Sequence, residues 1–233
     1  MIDEQWSRPA LLLGQMGIET LQASHVMVAG CGAVGSFAIE ALARSGVGKL
    51  TLIDHDCVEP SNLNRQLCAL HSTIGKKKTQ VLAERIADIN PKAVVVQKPV
   101  FINEKTLEDL FADSSIDFVV DAIDTVESKV AFIKALQKHH LPFISSMGAA
   151  RKTQPEAIRI LPMKKTMYCP LAAKVRKQLK AEGASLDFPC VCSMEPAQQN
   201  NATTLGSLVT VTGVFGLMAA SQAIAYLLER KTG

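Results

Sequence analysis

The sequence predicts an α/β protein: a doubly wound, mostly parallel sheet with an appended C-terminal α+β half. Three observations predict it. Strand-like and helix-like segments alternate through the first two thirds of the 233 residues. A glycine-rich turn, Gly30-Cys31-Gly32-Ala33-Val34-Gly35, joins an apolar strand to a helix. A continuous apolar run, Phe118-Val119-Val120, reads as a strand buried on both faces, the habit of parallel sheets.

The elements follow in order. Val26–Ala29 is a short apolar strand. Ser36–Ser45 is a helix with apolar Phe37, Ile39, Ala41 and Leu42, and Leu50–Ile53 is the second strand. Lys76–Asn90 is a helix, because Val81, Leu82, Arg85 and Ile86 fit a 3.6-residue period and Pro91 stops it. Val94–Val96 is a strand, Glu104–Phe111 a helix and Phe118–Val120 the fourth strand. Val126–Gln137 is a helix and Phe143–Ser145 the fifth strand. This order implies right-handed crossovers on a parallel sheet. Beyond about Arg151 the alternation stops. Ala157–Leu161 reads as a strand, Leu171–Lys180 as a short helix and Leu208–Val214 as a further strand. Residues 1–150 are read as a nucleotide-binding core, and 151–233 as a half packed onto it within a single domain.

Composition narrows the classes. Hydrophobic residues make up 48% and charged residues 20%, the balance of a globular chain with a sizeable core. Met1–Trp6 has neither a basic stretch nor a long apolar run, so a cytoplasmic chain with reduced thiols is expected. The six cysteines, Cys31, Cys57, Cys68, Cys169, Cys190 and Cys192, contain no C-x-x-C pair for structural zinc. Pro196–Leu228 is uncharged over 33 residues, long enough to span a bilayer. Its polar start (Gln198, Gln199, Asn200, Asn201) and the interruptions at Gly206, Gly213 and Gly216 argue instead for a buried strand or turn followed by a buried helix ending near Glu229. No integral span is expected. A peripheral contact with the inner membrane stays open.

The glycine turn is G-x-G-x-x-G placed between strand and helix, which makes the fold Rossmann-like. Gly30 allows the tight turn, Gly32 lets a phosphate approach the backbone, and Gly35 allows close helix–sheet packing. Asp54, nineteen residues beyond Gly35, ends the next strand where a carboxylate meets ribose hydroxyls. The polar segment after it, from Asp54 and Asp56 through Ser61, Asn62, Asn64, Arg65 and Gln66, is more than a dinucleotide calls for. It suits a triphosphate, with an arginine to neutralise charge and amides to hold oxygens. Lys76, Lys77 and Lys78 at a helix start oppose the helix dipole, and a phosphate would favour them. Asp124, just past the fourth strand, is placed to hold Mg²⁺ beside phosphates or simply to cap the next helix.

In sequence order, the motifs are G-x-G-x-x-G, then D-x-D (Asp54, Asp56), S-N-x-N-R-Q (Ser61–Gln66), G-K-K-K (Gly75–Lys78) and D-A-I-D (Asp121–Asp124). This order resembles the ThiF/MoeB branch of the ubiquitin-activating-enzyme-like superfamily. The nearer likeness is to its tRNA threonylcarbamoyladenosine dehydratases, over almost the whole chain. Further landmarks are Ala41–Gly48, Leu52–Asp56, Ala83–Ile86, Ser145–Ala149 and Pro170–Ala172. The resemblance implies a single adenylating domain. It would use ATP and Mg²⁺ to activate the threonyl carboxylate of threonylcarbamoyladenosine next to the anticodon of tRNA, and then close the ring with overall loss of water. By position, Gly30, Gly32 and Gly35 would cradle phosphates and Asp54 and Asp56 would serve the nucleotide. Asn62, Arg65 and Lys78 would contact the triphosphate, Arg65 stabilising transition-state charge, and Asp124 would hold the metal. Arg8 matches an N-terminal arginine that can reach a partner subunit's ATP site, which carries the expectation of a homodimer.

The chain also departs from its relatives. The two C-x-x-C zinc pairs usual in sulfur-carrier activators are missing, which argues against adenylation of a carrier protein's C-terminus. That activity, with sulfur relay through Cys169 or Cys190, is the alternative enzyme reading. A cysteine-desulfurase or sulfur-acceptor partner is left open. A nucleotide-binding adaptor and a dehydrogenase are the other classes weighed. Ala150–Pro155 departs from the turn common in the branch. Cys169 is read as structural, because closing a ring onto an attached nitrogen needs no enzyme thiol.

The net charge of +3 hides a distribution. Residues 151–180 hold nine bases, Arg151, Lys152, Arg159, Lys164, Lys165, Lys174, Arg176, Lys177 and Lys180, against Glu156 alone. The remainder is mildly acidic. All of these bases except Arg159 are taken as candidate contacts to the tRNA backbone.

Overall fold

The computed structural model describes residues 3–112, 115–198 and 205–230. Asn200, Asn201 and Gln199, part of the polar start of the uncharged stretch, lie outside them. The strands are β1 (His25–Ala29), β2 (Lys49–Ile53), β3 (Val94–Lys98), β4 (Phe118–Asp121), β5 (Phe143–Ser146), β6 (Ile158–Pro162) and β7 (Pro189–Ser193). The helices are α1 (Ser7–Gln22), α2 (Gly35–Arg44), α3 (Lys78–Ile89), α4 (Glu104–Leu110), α5 (Val126–Lys138), α6 (Pro170–Ala181) and α7 (Val209–Arg230).

The seven strands form one sheet in the order β3-β2-β1-β4-β5-β7-β6. All neighbours are parallel except β6 and β7. Strand order reverses between β1 and β4, the switch point that opens a crevice at the carboxyl edge of such a sheet. The register fixes what faces that crevice: Ala29 lies opposite Ile53 on one side and Asp121 on the other.

The core has two layers, one on each face. Val28, Leu42, Leu52, Val120, Phe215 and Ala219 belong to the layer under α2, α3 and α7. Met27, Ile53, Val119, Phe132, Ile133, Val175 and Cys190 belong to the layer under α4, α5 and α6. β4 alternates between them, which explains why its run is apolar without a break. Local chemistry sets the helix starts. Asn103 caps α4 by accepting from Lys105 N at 3.0 Å and Thr106 N at 3.3 Å, and Thr106 Oγ1 accepts from Asn103 N at 3.0 Å. α3 begins at Lys78 rather than Lys76, with Lys77 as its extended N-cap.

Besides α1, which the sequence reading passed over, two elements depart from expectation. The strand read at Leu208–Val214 is instead the first turn of α7, a single helix from Val209 to Arg230. The β-branched run Val209–Val214 carries the local strand signal. Tertiary packing overrides it. A Cβ on Gly216 would stand 2.3 Å from Val34 O and 2.8 Å from Phe37 Cβ, and one on Gly213 would stand 3.4 Å from Phe37. The glycines therefore let α7 lie against α2, burying Val211, Phe215, Ala219, Ala220, Ala223 and Leu227 at helical spacing. Among the described residues α7 is the one helix long and apolar enough to cross a membrane, yet half of its most apolar stretch is buried inside the protein. The second departure is β7, which the sequence reading passed over. It inserts beside β5, with Cys190 opposite Ser145 and Val191 opposite Ser146, so residues from the C-terminal half extend the nucleotide-fold sheet itself.

Candidate nucleotide site

Three loops meet at the switch point. Gly30 leaves β1 with φ +90°, and its N–H bonds Ile53 O at 2.8 Å. A Cβ there would stand 2.6 Å from Ala122 O, and a Cβ on Gly35 would stand 1.7 Å from Gly30 O. Those two positions need glycine for the protein's own packing. Gly32 does not: a Cβ there would meet only Gln66 Nε2, at 3.8 Å. What Gly32 leaves clear is backbone that a ligand can approach. α2 starts here with no side-chain cap and no acidic residue in its first turn; Ser36 N bonds Gly32 O at 3.0 Å, and the positive end of the helix can meet an anion without a competing side chain.

The carboxylates around this loop are already assigned partners. Asp54 Oδ2 accepts from Cys31 N at 2.7 Å and Oδ1 accepts from Asp56 N at 2.8 Å, so Asp54 clamps the glycine loop to the end of β2. Asp56 pairs with Lys78 Nζ at 2.7 Å. The Lys78 side chain is buried. Burial pulls its pKa down, but the bond from Asp56 and the nearby Asp54 outweigh that and raise it above the usual lysine value. Burial likewise pushes Asp56 up, and Lys78 reverses this and holds its carboxyl below the usual range. The second acid of D-x-D therefore aims Lys78. His55 Nε2 lies 3.1 Å from Asp56 Oδ1, and the His55 ring meets Phe101 edge-on.

Asn62 is buried and serves its own turn: Oδ1 accepts from Glu59 N at 3.1 Å. Arg65 is half-buried and donates from Nη1 to Ser61 O at 2.7 Å and Asn64 Oδ1 at 2.9 Å. Asn64 in turn donates to Ser207 O at 3.4 Å, tying this segment to the start of α7. Asp124 is exposed just past β4, and Thr125 Oγ1 donates to it at 3.4 Å. Its oxygens are hard donors not consumed by the fold, which suits Mg²⁺. Asp54, His55 and Asp56 also bring ligand atoms within 4.8 Å of one another. There, however, both Asp54 oxygens accept backbone N–H groups and Asp56 is held by Lys78, so Asp124 is the better fit.

Sequence reasoning missed a buried pair beneath this site. Lys129 Nζ lies 2.8 Å from Asp121 Oδ2 and donates to Ile123 O at 2.9 Å, and both side chains are fully buried. Ser145 Oγ donates to the same Asp121 oxygen at 2.6 Å, and Ile123 N donates to Oδ1 at 3.1 Å. The network fixes the turn that carries Ala122 against Gly30 and Asp124 into the crevice. The available signal was Lys129 itself, a charge on the apolar face that Val126, Val130 and Ile133 mark on α5.

The basic segment is divided by burial. Lys164, Lys165, Lys174, Lys177 and Lys180 are exposed, and Lys164 pairs with Asp187 at 2.9 Å. Arg151 is half-buried with φ +60°. Arg176 is half-buried, and its Nη1 donates to Thr166 O at 2.8 Å and Oγ1 at 2.6 Å. Lys152 is corrected outright. It is buried, and its Nζ donates to Tyr168 O at 2.9 Å and to Glu195 O, out of reach of a nucleic-acid backbone. Arg8 is exposed on the first turn of α1, far along the helix from the Gly14 kink.

The ThiF family model matches residues 6–233. The chain belongs to the ThiF family. Within it the chain falls in the tRNA threonylcarbamoyladenosine dehydratase branch. It is 49% identical over 191 residues to the Bacillus subtilis dehydratase of that name, covering 82% of this chain and 75% of the relative. It is 32% identical to the Escherichia coli one, covering 99% and 97%. The crystal structure of E. coli TcdA in complex with AMP superposes with a TM-score of 0.93 at 33% identity, over 100% of this chain and 98% of that one. The same enzyme has been solved with ATP. In this chain the glycine loop lies between the ends of β2 and β4.

Proposed function

We propose that this protein is an ATP-dependent tRNA threonylcarbamoyladenosine dehydratase that cyclises the modified base by adenylating its threonyl carboxylate. One observation supports the reading most: Asp54 clamps the phosphate loop through Cys31 N, and Asp56 beside it holds Lys78, in a chain that matches TcdA from end to end. A carboxylate is a poor acyl donor. Its attack on the α-phosphate, with pyrophosphate leaving, makes AMP the next leaving group, and the attached nitrogen then closes the ring. Such a step needs alignment and charge neutralisation more than acid–base groups. The open N-terminus of α2 and Gly32 receive phosphates, Lys78 is aimed at them by Asp56, and Arg65 turns from its own loop carbonyl to the developing charge. Asp124 holds Mg²⁺, which when bound shields neighbouring phosphate oxygens from one another.

The exposed lysines from Lys164 to Lys180 form the tRNA surface, and a tRNA substrate supports a cytoplasmic enzyme. A homodimer is supported by α1, which exposes Leu11, Leu12 and Met16 at 86%, 87% and 77% beside Arg8. Leu11→Glu with Leu12→Glu should halve the mass seen by analytical ultracentrifugation; an unchanged mass rules α1 out as the contact. Sulfur relay through Cys190 fares worse, because burial pushes that thiol far up, away from a nucleophile's range; relay through Cys169 is decided by the assay below. The deciding assay is the mass of the modified nucleoside after incubating tRNA with protein, ATP and Mg²⁺. Loss of one water supports the reading. An unchanged nucleoside with an adenylated carrier-protein terminus would overturn it.

A further inference from the structure

The crevice leaves one reactive-looking cluster unused. Cys169 caps the N-terminus of α6, and its sulfur accepts from Gly148 N at 3.2 Å and Ala172 N at 3.4 Å. Two backbone donors on one sulfur are an arrangement for a thiolate. Cys192, at the end of β7, is the side-chain hydrogen-bond partner of Cys169, and its sulfur lies 3.5 Å from Met167 O. The Lys152 ammonium sits beside both, bonded to the carbonyl of Tyr168, the residue preceding Cys169. The hydrogen bond from Cys192 is the strongest influence on Cys169. It outweighs burial and, with the N–H groups of Ala172 and Gly148, brings the thiol down to about 6. The same contact, with burial, pushes Cys192 upward and keeps it protonated. Tyr168, the residue before Cys169, is half exposed and held at φ +54°, a strained conformation. The adenylation chemistry calls on none of these groups.

We propose that Cys169 and Cys192 are a peroxide-reactive dithiol, with Cys169 the attacking sulfur and Cys192 the resolving one. The Cys169 thiolate attacks one oxygen of a hydroperoxide. An S–O bond forms, the O–O bond breaks, and the departing oxygen takes a proton and leaves as water or an alcohol. Cys169 is then a sulfenic acid, oxidised by two electrons. Cys192 gives up its proton and attacks that sulfur; the S–S bond forms, the S–O bond breaks, and water leaves. The net change is two thiols and one hydroperoxide to one disulfide, with water and the reduced peroxide as products. Closing the disulfide takes the Cys169 sulfur away from Gly148 N. Gly148 follows β5, whose Ser145 holds Asp121, so oxidation loosens the wall of the nucleotide crevice.

The test uses the full chain, hydrogen peroxide and peptide mass spectrometry. Before oxidation, iodoacetamide at neutral pH should modify Cys169 roughly tenfold faster than Cys31 or Cys190, its larger thiolate fraction being partly offset by the weaker nucleophilicity of a low-pKa thiolate. After peroxide, a Cys169–Cys192 cross-linked peptide should appear, two hydrogens lighter than the reduced pair. Cys192→Ala should stop the reaction at a sulfenic acid on Cys169 that dimedone traps. Cys169→Ser should give neither product. Turnover of the oxidised wild type should fall severalfold and return with dithiothreitol. The proposal is overturned if Cys169 stays alkylatable after peroxide has consumed Cys57, the one thiol that is not buried. It is overturned in its link to the crevice if the cross-link forms and turnover is unchanged. The cross-link is read without any activity assay, so its outcome is independent of the proposed reaction.

Discussion

The carboxyl edge of the sheet changes chemistry halfway along. After β1, β2 and β4 it is built of carboxylates matched to cations and backbone donors: Asp54 on Cys31 N, Asp56 on Lys78, Asp121 on Lys129. After β5 and β7 it is built of sulfur, with a buried ammonium that bonds carbonyls: Cys169, Cys192 and Lys152. Both stretches bury a lysine, but under different terms. Lys129 neutralises a buried carboxylate. Lys152 is pulled down by burial, and its hydrogen bonds go to the carbonyls of Tyr168 and Glu195. The first edge is preset for a polyanion. The second holds its groups by weaker, proton-sensitive contacts.

The largest effect expected from breaking this contrast lies in the crevice. Arg65→Ala and Asp124→Ala should each lower kcat/KM by roughly 10²–10³ with the fold intact, since each removes charge stabilisation from a phosphoryl transfer and neither side chain is in the core. Near-wild-type turnover in either would refute its assigned role.

Next come Lys129 and Lys152. Lys129→Met strands the Asp121 carboxylate and should cost about 3–5 kcal/mol in urea unfolding. Adding Asp121→Asn should recover most of that. Lys152→Met leaves the Tyr168 and Glu195 carbonyls without their donor and removes a cation beside Cys169 and Glu195, but strands no fully buried carboxylate, and should cost less, about 1–3 kcal/mol. If the two single variants melt alike, the two edges are not built differently.

The sequence made the first edge legible and left the second obscure, for physical reasons. Glycine turns and carboxylates at strand ends follow fixed spacings, so Gly30, Asp54 and Asp124 announce their places. β7 is short and mixes proline, cysteine and serine, and its partner β5 lies 45 residues earlier; no local period marks it. Val209–Val214 carries a strand signal that only packing against α2 cancels. Charge counting over 151–180 found a basic face but could not separate Lys152, which points inward, from Lys174, which points out. Lys129 hid because its partner, Asp121, lies on another element.

A smaller effect is expected on the outer face of α6. Lys174, Lys177 and Lys180 recur every three residues and are exposed. Changing all three to Gln should weaken tRNA binding across sequences. It should also flatten the slope of log Kobs against log salt by about 1 per lysine. ATP affinity should not move. An unaltered slope would make the run an ordinary solvated helix face.

The smallest effect is a slope in stability against pH set by Cys169. Its folded value, about 6, is depressed from the usual 9.0. The stabilisation is therefore complete above the unfolded value and is lost as pH falls through the folded one. Between these limits the unfolded chain carries a proton the native chain lacks, so unfolding free energy rises with pH. Cys192 is shifted the other way, so its protonated thiol favours the fold until pH passes 9 and then stops helping. Serine at 169 would still cap α6 but does not ionise in this range. The melting temperatures of wild type and Cys169→Ser should therefore differ little near pH 5, then diverge toward pH 8.5 with wild type the higher. Groups that do not touch Cys169 are common to both proteins and cancel in the difference; Cys192, which does, stays protonated over this range because burial also pushes it up. A difference that stays flat with pH would mean that Cys169 is a neutral cap, and that the sulfur edge holds no more charge than its burial suggests.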